Sequence, residues 1–157
     1  MEYADRVIIM KISTRGRYVL RLMLDLACDG KEGVVSIKTI ASRQDISTKY
    51  LEQIISMLGK AGYVKSIRGA QGGYKLTHEP QYYTVGMILR LTEGSLSPVS
   101  CLDDKPNLCP RAEKCVTLNV WKKLDEAINN VVDNITLADL MQISEDSTST
   151  DEILEKI

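Results

Sequence analysis

Apolar residues recur at intervals of three and four along the first half of the chain, and each such run is bounded by a cap or a glycine. Tyr18, Val19, Leu22, Met23, Leu26 and Ala27 predict a helix over 13–28 with one buried stripe, closed by Asp29-Gly30. Ile37, Ile40 and Ala41 predict a short second helix over 36–43. Gln44-Asp45-Ile46 joins it to a third, opened by Ser47 as N-cap, with Leu51, Ile54, Ile55, Leu58 and Ala61 inward and Gly62 as its stop. The period then changes. Residues 63–68 and 74–77 have strand character, and the intervening Gly69-Ala70-Gln71-Gly72-Gly73 can supply the positive φ angles of a turn. A helix, two more helices joined by a very short turn, and a glycine-tipped hairpin together predict a winged helix-turn-helix.

The second half is organised differently. Val85, Ile88, Leu89 and Leu91 predict a helix over 84–92, closed by Glu93-Gly94. From Ser95 to Lys114 the chain turns irregular, with Pro98, Pro106 and Pro110 blocking regular structure. A long amphipathic helix follows over 116–135, its apolar series Val120, Trp121, Leu124, Ile128, Val131, Val132 and Ile135 lacking a partner in so small a domain, so it is assigned as a homodimer seam. Residues 136–141 add a final turn or two, and from Gln142 a Ser, Thr, Asp and Glu-rich tail is expected to lack fixed structure, with Ile153-Leu154 at most a frayed helix. Residues 1–9 are expected to be a loosely held start. The predicted fold is mainly α with a small β-hairpin wing: a winged helix-turn-helix DNA-binding domain over 10–94, a cysteine-rich cluster-binding loop over 95–115, a dimerisation helix and final turn over 116–141, and an acidic flexible tail over 142–157.

Charge sharpens this picture. Residues 11–90 carry 13 Lys and Arg against 6 Asp and Glu, a net +7, whereas residues 91–157 carry 6 against 13, a net −7. A basic first half suits phosphate neutralisation, and the acidic second half should stay off a duplex. The outward face of the third helix presents Thr48, Lys49, Glu52, Gln53 and Ser56 near its N-terminus, where helix-turn-helix proteins meet base edges. Arg15 and Arg17 sit in the first turn of the first helix, where the macrodipole disfavours cations; a nearby DNA phosphate accounts for them.

With 157 residues, 44% of them hydrophobic, the chain can bury one core. It shows no 18-residue apolar run and no secretory pattern, which predicts a cytoplasmic protein with no membrane partner. Thiols there stay reduced, so the clustering of Cys101, Cys109 and Cys115 favours a metal over disulfides. Their spacing lacks the C-x2-C pairs of structural zinc sites, and three thiolates from one loop suit an iron-sulfur cluster. Cys28 reads as a small core residue, and His78, the one histidine, as an exposed side chain of a kind that completes metal sites. Neither a Ser-His-Asp set nor a glycine-rich phosphate loop is present, which argues against a hydrolytic enzyme. A reading from another class, an iron-sulfur carrier or redox protein, is disfavoured by the basic first half.

The run Lys11-Ile-Ser-Thr-Arg-Gly-Arg-Tyr18, the run Ile46-Ser-Thr-Lys-Tyr-Leu-Glu-Gln53, the wing Arg68-Gly-Ala-Gln-Gly-Gly-Tyr74, the three cysteines and the ending Asn134-Ile-Thr-Leu-Ala-Asp-Leu140 resemble the IscR-type, or Rrf-type, winged-helix transcription regulators, over residues 10–141. The resemblance implies a homodimer in which the long helices cross, a 2Fe-2S or 4Fe-4S cluster with 2Fe-2S preferred, and control of cluster-biogenesis genes through operator binding that changes with cluster occupancy. It implies Cys101, Cys109 and Cys115 as ligands, Tyr50, Glu52 and Gln53 on the recognition helix, and Arg68 reaching the minor groove from a wing tip that also carries Gln71. In the family the glutamate matching Glu52 is linked to promoter choice. Two positions depart from the pattern. Leu118 stands where IscR-type members have a histidine ligand, and Arg17 where nitric-oxide-sensing relatives use an aspartate from the partner subunit. The fourth ligand is therefore open among Asp103, Asp104, Glu113, Asn119, His78 and a small exogenous group, and the interval from Cys101 to Cys109 is longer than usual. Within the family, nitric oxide, redox state or cysteine supply are the alternative signals; relatives tuned to cysteine metabolism lack these cysteines.

Overall fold

The computed structural model describes residues 11–30 and 33–154, so the loose start expected over residues 1–9 lies outside the described residues. Helix α1 (Thr14–Asp29) is opened by Ser13, whose hydroxyl accepts from Gly16 N–H at 3.0 Å. Its stripe of Val19, Leu22, Met23 and Leu26 is removed from solvent and forms the centre of the main core. Helix α2 (Ile37–Gln44), capped by Ser36, brings Ile40 onto that stripe and ends at Asp45 in the left-handed region (φ 52°). The chain thus turns sharply into α3 (Thr48–Lys60), capped by Ser47, which adds Leu51, Ile54, Ile55 and Leu58 to the same core. The expected N-cap Ser47 is in place, and Ser13 and Ser36 cap the other two helices in the same way, because a serine hydroxyl satisfies an N–H that the first helical turn leaves unpaired.

Strands β1 (Val64–Ile67) and β2 (Gly73–Leu76) pair antiparallel, with Val64 opposite Leu76 and Ile67 opposite Gly73. Of the tip glycines only Gly69 takes a positive φ, at 126°. The sequence invites that explanation for all three, but Gly72 and Gly73 serve close approach: a Cβ on Gly73 would lie 2.6 Å from the carbonyl oxygen of Val35. That proximity exists because Val35 and Tyr74 exchange backbone hydrogen bonds of 2.9 Å, tying the wing to the segment before α2. The wing's other end is held by Tyr83, whose buried ring donates its hydroxyl hydrogen to Tyr63 O at 2.9 Å and accepts from His78 N–H at 3.0 Å.

Helix α4 (Val85–Glu93) packs on α1, and Glu93 accepts from both the backbone N–H and the hydroxyl of Ser13 (3.2 and 2.7 Å). Gly16 makes room for that carboxylate, since a Cβ there would overlap Glu93 Oε1. Residues 95–114 are irregular as expected, apart from single 3-10 turns at Ser100–Leu102 and Ala112–Lys114, and the irregular chain runs on to Thr117. Helix α5 (Leu118–Asp133) follows, and its predicted single stripe divides in two. Ile128 and Val132, with Ile135 just beyond the helix, pack on a second small core of Val85, Leu89 and Leu96. Val120, Leu124 and Val131 remain 52, 45 and 58% exposed. Arg90 fastens α4 to α5 through a two-pronged contact with Asp133 (2.6 and 3.0 Å).

Helix α6 (Leu137–Leu154) corrects the expected loss of structure after Met141. It starts from a capping box in which Thr136 N–H and hydroxyl donate to Asp139 (2.8 and 2.7 Å) while Asp139 N–H donates back to Thr136 Oγ1 (3.2 Å). Leu137 and Met141 anchor it in the main core, and one turn further Gln142 donates to Asp146 at 3.0 Å across an i, i+4 step. Among the described residues this gives six α-helices and one two-stranded hairpin, a mainly α winged helix-turn-helix. Two consequences are measurable. Gly73→Ala is expected to destabilise by about 1–3 kcal/mol, because the added methyl meets backbone that cannot yield, and an unchanged melting temperature would contradict the close approach. The Arg90 hydrogen bonds hold the Asp133 carboxyl below its usual range, so this pair stabilises fully above the unfolded value near 3.8 and is lost as pH falls through the lower folded value. Asp133→Asn should therefore lower the denaturant midpoint at neutral pH, by less than about 1 kcal/mol given its exposure, and lose less than the parent on acidification.

Candidate nucleic-acid interface and cysteine loop

With its apolar side spent on the core, α3 turns Lys49, Glu52, Gln53 and Ser56 to solvent, and Thr48 stays half-buried at its N-terminus. Tyr50 sits differently. Its ring packs edge-on against Tyr18 of α1 at 5.9 Å and is half-buried, so it braces α3 on α1 as well as bordering the exposed face. Arg68 and Gln71 are exposed at the wing tip. Between α3 and the wing lies a cleft of about 270 Å³ lined by Glu52, Ile55, Ser56, Val64, Ser66 and Tyr74. Glu52 thus stands on the rim between helix and wing. Arg15 and Arg17 are exposed on the first turn of α1, where Arg17 donates to Thr14 Oγ1 at 3.1 Å.

Two other arginines of the basic half are committed to structure. Arg21 donates to the side chain and backbone oxygens of Gln44 (2.9 and 2.7 Å), Gln44 donates to Asp25 at 2.8 Å, and Arg43 pairs with Asp25 at 3.1 Å and also with Asp29. Asp25 is buried, and the network joins α2 to α1. None of these residues carries a periodic or motif signal, which is why the sequence did not single them out.

Cys101, Cys109 and Cys115 are unbridged and half-buried along the connection between α4 and α5. Cys101 lies in the first 3-10 turn, and Cys109 follows Asn107, whose side-chain oxygen accepts from Cys109 N–H at 2.9 Å. Cys115 stands three residues before the start of α5, and its carbonyl accepts from Leu118 N–H at 3.1 Å. Its thiol is held below the ordinary cysteine value, above all by the Thr117 hydroxyl 3.4 Å away, with the Leu118 and Thr117 N–H groups and the Arg111 charge acting in the same direction. The thiolate is the ligating form of cysteine. The donor chemistry fits a metal or cluster, yet among the described residues no three His, Cys, Asp or Glu side chains converge on a metal-sized site. The three thiols share a loop without meeting.

The candidate fourth ligands are dispersed too. His78 stacks on Tyr82 at 4.2 Å, and its Nδ1 lies 3.0 Å from Thr77 Oγ1. Asp103 accepts from the Ser95 hydroxyl. Glu113 and Asn119 are exposed, as is Asp104. Leu118 is 7% exposed and serves as an apolar anchor. Among the described residues no helix is long and apolar enough to cross a membrane.

The chain matches a family model described as "Rrf2: Iron-dependent Transcriptional regulator" over residues 12–143. It is 45% identical to Protein rrf2 of Nitratidesulfovibrio vulgaris over 133 residues, covering 85% of this chain and 88% of that protein. The structure resembles that of CymR, the global cysteine regulator of B. subtilis, at a TM-score of 0.72 and 44% identity, covering 85% of this chain and 97% of that one. It resembles T. potens IscR at a TM-score of 0.71 and 46% identity, over 87% of this chain and 90% of that one. A basic helix-turn-helix with a wing, matched over nearly all of its described length by such regulators, identifies the chain as a DNA-binding transcriptional regulator of the Rrf2 family.

Proposed function

We propose that this regulator reads iron-sulfur status, with Cys101, Cys109 and Cys115 as the ligands of a cluster, 2Fe-2S in preference to 4Fe-4S, and that it governs genes of iron-sulfur cluster biogenesis. The observation that carries the reading is the set of three unbridged cysteines on the one connection between the DNA-binding domain and α5, with the Cys115 thiol held below its ordinary value by the Thr117 hydroxyl. When bound, the cluster would supply a redox-sensitive cross-link between segments that are now apart. Everything further rests on the chain's own packing. Cys115 abuts α5, α5 is fastened to α4 by Arg90 and Asp133, and α4 to α1 by Glu93 and Ser13. Drawing the three thiols together would order the 95–115 loop and reset the start of α5, and so bias the DNA-binding half.

In this reading the operator is a double-stranded DNA read by Thr48, Lys49, Tyr50, Glu52 and Gln53 in the major groove, with Arg68 and Gln71 on the wing and Arg15 and Arg17 on phosphates. The exposed Val120, Leu124 and Val131 are assigned to a second copy of the chain, since this apolar stripe lies beside the face of α5 that packs on α4 and stays open to solvent. A cysteine-responsive regulator is the second reading, favoured by the likeness to CymR, which is described as a global cysteine regulator.

Three tests follow. Anaerobically reconstituted protein should show charge-transfer absorption with matching iron and sulfide, and its affinity for DNA selected from a random pool should change on reconstitution. Cys101→Ala should remove both effects; a colourless parent, or a variant that responds as the parent does, would transfer the case to the cysteine-responsive reading. Arg68→Ala is expected to cost about 1–3 kcal/mol of operator affinity, and equal binding would take Arg68 out of the interface. Leu124→Asp leaves the α4-facing stripe intact and should weaken self-association by about 2 kcal/mol or more in sedimentation equilibrium, whereas a parent that is monomeric throughout would remove the dimer seam.

A further inference from the structure

Lys65 and Lys75 face one another across the wing in a way that neither DNA reading nor cluster binding uses. They are direct partners in the antiparallel register, which places their Cβ atoms about 5 Å apart on one face of the hairpin. Their neighbours Val64, Ser66 and Tyr74 line the cleft toward α3, so strand alternation turns both lysines to the opposite face. There they border a cavity of about 450 Å³ whose walls are the end of α1, at Leu26, Ala27 and Gly30, and the chain leaving the wing, from Thr77 to Pro80. Like charges set directly opposite each other destabilise a hairpin. No described carboxylate lies within ion-pair distance of either ammonium, although Glu79 stands on the same rim. The N–H groups of Gly30, Thr77 and His78 are engaged with Leu26 O, Tyr63 O and Tyr83 Oη, so an anion in this cavity meets two ammonium groups and no backbone cradle.

We propose that this cavity on the far side of the wing is a phosphate site, in which Lys65 and Lys75 share one dianionic or diester phosphate beside the apolar wall of Leu26 and Ala27. The volume accommodates either a free phosphate ester or a backbone phosphate of a duplex. The test takes the full chain, free of DNA and of cluster, and titrates it with inorganic phosphate at constant ionic strength while amide chemical shifts are followed. A Lys65→Gln/Lys75→Gln variant is compared with Lys122→Gln/Lys123→Gln on α5, which loses the same charge elsewhere. Saturable shifts at Gly30, Lys65, Lys75 and Thr77 are expected in the parent and the α5 variant, at least about tenfold weaker in the wing variant, which should itself melt higher than the parent in phosphate-free buffer. A second arm measures the salt dependence of duplex affinity. A slope reduced by about one to two in the wing variant alone makes the duplex backbone the source, with or without free-phosphate shifts; an unchanged slope with saturable shifts makes it a free phosphate ester. A flat titration with an unchanged slope, or equal losses in the α5 variant, would overturn the site. Because the first arm contains no DNA and no cluster, its failure is separable from failure of the proposed function.

Discussion

Burial of α1 is the contact on which every other element depends. Its stripe of Val19, Leu22, Met23 and Leu26 meets α2 through Ile40, α3 through Leu51, Ile54 and Leu58, α4 through Ile88 and α6 through Leu137 and Met141. Helices of this length are marginal in isolation, so none of the short ones would hold without that common partner. The same burial sets the recognition face: once Leu51, Ile54, Ile55 and Leu58 are turned inward, the 3.6-residue period leaves Lys49, Glu52, Gln53 and Ser56 outward. The DNA-facing surface is the remainder of a packing problem solved elsewhere.

The parts that were legible in the sequence are those set by neighbours along the chain. Ser47 caps its helix because the group it satisfies lies three residues on, and the hairpin follows from alternation and a glycine tip. What was not legible depends on partners far along the chain. Gly16 is explained by Glu93 and Gly73 by Val35, contacts that no local pattern encodes. The apolar series of α5 reads as one stripe because periodicity records only that residues avoid water, and it takes the position of α4 to separate Ile128 and Val132 from Val120, Leu124 and Val131. Helix α6 escaped for the opposite reason. Its last turns are poor in helix formers, and the helix there extends from an anchor at Leu137 and Met141 that a local reading of Ser, Thr and Asp does not see.

The cysteine loop shows the same division more sharply. Clustering of Cys101, Cys109 and Cys115 is a sequence property, but convergence is a tertiary one, and here the thiols stand apart on a connection held by short-range contacts such as Asn107 to Cys109 and Thr117 to Cys115. A segment with few long-range contacts opens at low free energy, which is what a ligand-ordered element requires. The elements on either side are the reverse. Glu93 with Ser13 and Arg90 with Asp133 each join positions far apart in the chain. On the proposed reading, a loop between two such joints would pass a ligand-driven change first to the start of α5 and from there through these contacts to the DNA-binding half.

Leu118 decides how such a change would be transmitted. The resemblance to IscR-type regulators would place a histidine there, inside the ligand set, and this chain has an apolar side chain that is 7% exposed at the first residue of α5. The start of the helix is thereby held by burial, while Cys115 three residues earlier supplies the nearest thiol and accepts the Leu118 N–H through its carbonyl. A shift of Cys115 then pulls on α5 through that hydrogen bond and against the buried Leu118, so burial of Leu118 opposes movement of the helix start. On the proposed cluster reading, packing at Leu118, more than ligation there, would set how far a change in the loop travels, and a coordination position left to a distant or exogenous group would make occupancy itself the easily altered variable.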